Sequence, residues 1–250
     1  MSPHLLVDDV DGVRTITIDR PQAKNSMGAA LRLELCELLD ESDLDEAVAA
    51  VILTGTDPAF SAGVDFKDVD PGYDPRQRRF VVNPGRALRA MRTPVIAAVN
   101  GSCVSGGLEM ALSCSFIVAS ERATFADTHA RLDVVPAWGL SALLPRAVGI
   151  RKAREMSMTG NFVDAAEALR LGMVNHVVTH EELLPFCQRL AGQIAATPAV
   201  RTTLGLYEQG EDLSLNAALA LEMTTFAHRG WDTGTFTAKG RETAARSDQD

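Results

Sequence analysis

Ile16 and Ile18 alternate with Thr15, Thr17 and Asp19 before Pro21 closes the run, which predicts a half-buried strand over 14–19. Leu31, Leu35, Leu38 and Leu39 follow at helical spacing. A helix is expected there, with this face laid on a sheet and Asn25 or Ser26 as its cap. The segments VAAVIL at 48–53 and VIAAV at 95–99 are apolar without interruption, as strands covered on both faces should be. Shorter runs at 116–119 and 174–178 add two more, with stretches of helical length between them. The pattern predicts an α/β fold with a parallel sheet and right-handed crossovers.

Asp164 and Glu167 form a D-x-x-E pair at the start of a helix that Gly172 ends as its C′ residue. Beyond Val178 only helical periodicity remains, over 180–196, 199–209 and 213–229. The expected organisation is a core over residues 1–195 and a C-terminal helical region over 196–250.

A chain of 250 residues with 46% hydrophobic and 23% charged positions can bury a full core. Its net charge of −9, with no basic run able to neutralise several phosphates, argues against nucleic acid as a partner. Cys36, Cys103, Cys114 and Cys187 form no C-x-x-C pair and carry no His at zinc-ligand spacing, so neither a disulfide framework nor a metal is expected. The opening MSPHLLVDDVDG has acids where a signal peptide needs bases and an apolar run, and no stretch reaches membrane-spanning length. A cytoplasmic protein with no membrane partner is expected.

Two Gly-containing loops follow buried strands, where open α/β sheets place their sites. The first is AFSAGVDFK at 59–67 and the second NGSCVSGGLE at 100–109; neither has the order of a dinucleotide fingerprint. In the second, Gly106 and Gly107 open a helical pattern, leaving free amides at a helix N-terminus that suit an anion or a developing oxyanion. Taken alone, the tight turn of a strand–helix junction is the first reading of this loop. Glu109 lies in the first helical turn, where any carboxylate is favoured by the dipole. Its functional use requires that it face the other loop.

These two loops, with RPQAKNSM, ATFADTHARLDVVPAWGLSALLPRAVG and TGNFVDAAEALRLGMVNHVV, resemble the enoyl-CoA hydratase/isomerase (crotonase) family in order and spacing over residues 5–180. The resemblance implies a ββα spiral core, a C-terminal helical region that covers coenzyme A, and a homotrimer or dimer of trimers. It implies an oxyanion hole made by the amides of Val64 and Gly106, with Glu109 as the catalytic carboxylate. Ala62, Gly63, Asp65, Gly107, Asp133 and Trp138 are the matching candidates for substrate contact. Coenzyme A then enters as part of an acyl-CoA substrate, with no separate cofactor; Lys24, Lys67 and Lys239 could meet its phosphates, but each reads first as a solvated surface charge.

The chain departs from the family pattern where hydratases carry a second Glu, in the F-x-x-x-E segment; here the position is His129. Ser105 also replaces a usual Gly. In a helical turn, His129 and Asp133 would meet at i, i+4, where the carboxylate would orient the imidazole; a lone surface-facing pair is the plainer reading, and a His129 that only lines the acyl pocket is another. Hydration of a trans-2-enoyl-CoA is the expected reaction, with Glu109 and His129 as its acid/base groups. Double-bond isomerisation by a single base and plain acyl-CoA binding are the alternatives. A remote one casts Ser105, His129 and Asp133 as the triad of a Clp-like serine hydrolase.

Overall fold

The computed structural model describes residues 3–68, 82–194, 196–230, 234, 236 and 237. It begins with a hairpin, β1 (Leu5–Val10) and β2 (Val13–Ile18), turned by Asp11 and Gly12 with φ of 50° and 77°. Asp-Gly favours this two-residue turn because both positions need positive φ. β1 is absent from the hydrophobic reading, since Asp8 and Asp9 interrupt its pattern.

α1 (Ala29–Leu44) buries the predicted Leu31, Leu35, Leu38 and Leu39. Its cap differs from expectation: Gly28 occupies that position without a side-chain bond. Asn25 is fully buried and spends its amide elsewhere, accepting from Arg20 N at 2.9 Å and donating to Thr56 O at 2.7 Å and Ala59 O at 2.6 Å.

β3 (Ala50–Gly55), β5 (Val95–Val99), β7 (Phe116–Ser120) and β10 (His176–Val178) join the hairpin in a sheet ordered β1-β2-β3-β5-β7-β10. From β2 onward every pairing is parallel. The period-2 alternation assigns its two faces. Val51, Leu53, Val95, Ala97 and Val99 point to the main core with α1, whereas Ala50, Ile52, Ile96 and Ala98 meet Leu183, Cys187 and Ala191 of α7 (Leu183–Gly192). Burial on both sides is why these strands read as unbroken apolar runs.

A second sheet, not foreseen, contains β4 (Ala59–Ser61), β6 (Ser102–Val104), β8 (Thr124–Ala126) and β9 (Val163–Asp164) in that order. β4, β6 and β8 pair in parallel. The chain thus turns three times through a long-sheet strand, a short-sheet strand and a helix: β3, β4 and α2 (Pro84–Ala90); β5, β6 and α3 (Gly106–Leu112); β7, β8 and α4 (Leu140–Val148). This is the expected ββα spiral. The two glycine loops leave the short strands β4 and β6 rather than β3 and β5, which corrects their expected placement.

α5 (Ile150–Thr159) and α6 (Ala165–Arg170) continue the core, and Asp164 caps α6 by accepting from Glu167 N at 2.8 Å, as its spacing predicts. Gly172 follows with φ of 78°. The chain forms two compact units, Met1–Arg201 and Thr202–Asp250. α8 (Pro198–Gly210) and α9 (Leu215–Arg229) complete the C-terminal helical region, with Ser214 capping α9. Among the described residues no helix is long and apolar enough to cross a membrane.

Candidate active site

Parallel pairing of β4 with β6 carries the loops that follow them to one place. A Cβ on Gly63 would lie 2.8 Å from Gly106 N, and one on Gly106 would lie 2.9 Å from Trp138 Cζ3 and 3.0 Å from Gly63 Cα. The loops touch backbone to backbone, and only glycine permits it. Gly107 is tighter still, its Cβ position falling on Ser61 O.

The first loop is stitched to 24–27. Lys24 O accepts from Ala62 N at 2.9 Å, Met27 N donates to Gly63 O at 2.7 Å, and Asp65 N donates to Met27 O at 3.0 Å. Ser61 Oγ donates to Asn25 O at 2.8 Å and accepts from Gly63 N at 3.0 Å. Val64 N, between these bonds, has no acceptor among the described residues, and neither has Gly106 N at the start of α3. Two N–H groups from adjacent loops are thus left for an outside acceptor.

Glu109, one turn into α3, is 2% exposed. Its Oε1 accepts from Trp138 N at 2.7 Å and Leu140 N at 3.2 Å. Arg89 supports this arrangement, donating through Nη1 to Trp138 O at 2.8 Å and Ser113 Oγ at 2.9 Å. Burial nonetheless pushes the Glu109 carboxyl above its ordinary range, against the lowering effect of the Leu140 and Trp138 amides and of His129. Oε2 faces His129 Nε2 at 3.7 Å. The position that departs from the family pattern therefore stands beside the carboxylate that keeps it.

The imidazole is not held by Asp133, which corrects the expected i, i+4 pair. Residues His129–Leu132 form a 3-10 turn, and Asp133 is its exposed cap with φ of 55°. The ring turns back instead to Asp127, whose Oδ1 lies 2.6 Å from Nδ1 and also accepts His129 N at 3.1 Å. Asp127 is 1% exposed. Burial raises its pKa, but bonds from His129 and Ser157 outweigh this and hold it below the ordinary carboxylate range. Asp127 was missed because helical spacing directs attention forward, whereas the D-x-H pair at 127–129 was the available signal.

Ser105 has φ of 49° and ψ of −109°, backbone that suits the Gly usual there. Its Oγ is 2.8 Å from Thr128 Oγ1 and accepts Thr128 N at 3.0 Å. With its hydroxyl bound to Thr128 and His129 bound to Asp127, the Ser105, His129 and Asp133 triad is not assembled. Trp138, buried against Gly106, walls the loops; Asp65 is tied to Arg20 Nη1 at 3.0 Å. Lys67 borders a cleft of about 360 Å³ with His4, Arg20 and Asp65, Lys24 is exposed, and Lys239 lies outside the described residues.

The sequence model described as enoyl-CoA hydratase/isomerase matches residues 8–234. The chain is 37% identical over 213 residues to a probable peroxisomal enoyl-CoA hydratase 1 of Arabidopsis thaliana, covering 84% of this chain and 80% of that one. It is 32% identical over 229 residues to the crotonyl-CoA hydratase of Syntrophomonas wolfei, covering 89% and 88%. The crystal structure of enoyl-CoA hydratase from Bacillus anthracis superposes with a TM-score of 0.88 at 30% identity, covering 96% of each chain. With its spiral core, its paired glycine loops and this match, the chain belongs to the enoyl-CoA hydratase/isomerase family.

Proposed function

We propose that this protein adds water across the double bond of a trans-2-enoyl-CoA. The observation that carries the reading is the placement of Glu109 Oε2 and His129 Nε2, 3.7 Å apart, with Glu109 on the helix that opens at Gly106 N and the Val64 loop packed against that opening. The thioester carbonyl accepts from Val64 N and Gly106 N, so charge building on oxygen during attack at C3 meets preset dipoles. One such donor is worth roughly 3 kcal/mol of transition-state stabilisation. The attacking water lies between Glu109 and His129, one taking its proton and the other supplying a proton to C2.

Two acid/base groups 3.7 Å apart favour hydration over isomerisation, which a single base can perform. The relatives' names, enoyl-CoA hydratase and crotonyl-CoA hydratase, point the same way. The reading needs no metal and no cofactor beyond the coenzyme A of its substrate. A cytoplasmic homotrimer or dimer of trimers accompanies it, and light scattering that gives a monomer would remove that assembly.

The test follows the conjugated enoyl-thioester absorbance with crotonyl-CoA and a longer trans-2-enoyl-CoA. Loss of the band with the wild-type protein, and its persistence with Glu109→Gln, is the expected result. Binding without loss of the band overturns hydration and leaves isomerisation or acyl-CoA binding.

A further inference from the structure

We infer that Asp127 is a positioning residue that fixes His129 as the Nδ1–H tautomer, so that the lone pair of Nε2 faces Glu109 and His129 acts as the base for water. The inference rests on the hydratase reading for its catalytic consequence, but the tautomer stands or falls by itself.

The geometry carries it. Asp127 Oδ1 accepts the backbone N–H of His129 at 3.1 Å and sits 2.6 Å from Nδ1 of the same residue. A carboxyl whose Oδ1 accepts one backbone N–H, and which Ser157 bonds besides, is set up as a carboxylate, which can only accept. Nδ1 must therefore donate. In a neutral ring this leaves Nε2 unprotonated, and Nε2 is the atom 3.7 Å from Glu109 Oε2. Asp127 lies at 1% exposure, so water does not compete for its oxygens. The Asp127–His129 pair then carries the same net charge as the carboxylate that the family pattern places at position 129, with its basic atom displaced to the end of the imidazole.

The two acid/base groups thereby take different tasks. As the water oxygen bonds to C3, its O–H bond breaks toward His129 Nε2. The C2–C3 π pair moves onto the thioester oxygen, forming an enolate held by the amides. Glu109, whose burial favours the protonated form, gives its Oε2 proton to C2 as the enolate collapses. Return of the proton from His129 Nε2–H to the Glu109 carboxylate restores both groups.

The experiment uses the full-length protein labelled with ¹⁵N-histidine, its His129 signals assigned with His129→Gln. At a pH where the ring is neutral, the expected signals are a protonated Nδ1 and an unprotonated Nε2, changing to a mixture or to the opposite tautomer in Asp127→Asn. An Nε2–H tautomer in the wild type, or signals unmoved by Asp127→Asn, overturns the assignment whether or not the protein hydrates anything. In turnover, Asp127→Asn should lower kcat by about 10- to 100-fold with KM changed less than about 3-fold. On a His129→Glu background the same substitution should lose most of that effect, because a carboxylate needs no tautomer. An equal loss on both backgrounds would mark Asp127 as a structural support only.

Discussion

His129 Nε2 stands 3.7 Å from Glu109 Oε2, beyond hydrogen-bond length yet close enough for both atoms to reach one small molecule between them. The pair joins α3 to the turn after β8, two elements that adjoin through the short sheet and not through sequence.

Glu109→Gln keeps an oxygen able to accept from Trp138 N and Leu140 N while removing the exchangeable proton. The expected fall in kcat is about 10²- to 10⁴-fold, with acyl-CoA binding retained. A variant with more than a tenth of wild-type turnover would exclude Glu109 from proton transfer.

The same substitution should alter stability in the opposite sense. Burial raises the Glu109 pKa in the folded state, so the folded chain holds this proton where the unfolded chain has lost it. Stability from this group is complete below the unfolded pKa of about 4.3 and is lost as pH rises through the higher folded value. Thermal melts across pH should therefore show Glu109→Gln gaining on wild type as pH rises from about 4, then levelling. A constant offset would contradict the shift.

Gly63 combines a φ of 84° with a Cβ position 2.8 Å from Gly106 N. Gly63→Ala should cost about 1–2 kcal/mol from the left-handed backbone alone, more once the neighbouring loop is pushed away. Because that loop bears a proposed oxyanion donor, kcat should fall by about 10²- to 10³-fold. Urea unfolding and turnover measured together test both; unchanged turnover would show that the loop spacing is not used.

Ser105 holds a strained backbone in place through two bonds to Thr128. Ser105→Ala keeps the strain and forfeits the bonds, at about 1–3 kcal/mol. Ser105→Gly forfeits the bonds but relieves strain of about 1–3 kcal/mol, so it should unfold within about 1 kcal/mol of wild type. If alanine is tolerated better than glycine, the Thr128 bonds contribute little. A fluorophosphonate should leave Ser105 unlabelled, since no base is poised on its hydroxyl.

The strands at 48–53 and 95–99 were legible because both faces are buried, which makes hydrophobicity continuous. β4, β6 and β8 were not, for three residues are too few to display a period, and their role is set by pairing between distant segments. Asn25 looked like a helix cap because its type favours one; its burial beneath Thr56 and Ala59 follows from tertiary contacts. Glu109, Val64 and Gly106 came through the family's block order, and the structure brings their segments together. The partner of His129 did not, because a 3-10 turn points the ring backward and the expectation assumed an α-helical one.

The parallel pairing Ala59↔Ser102 and Ser61↔Cys103, with an irregular step between Ala59 and Ser61, fixes where the two glycine loops leave the short sheet. Neighbouring strands keep a separation of about 4.8 Å whatever side chains they carry. The proposed grip on a carbonyl oxygen would therefore be set by main-chain geometry, whereas the proposed acid/base groups are side chains at 109 and 129 on separate supports. On that reading reaction type and substrate hold are independently editable: an imidazole stands at 129 where the family pattern has a carboxylate, and the backbone that presents the two amides need not differ.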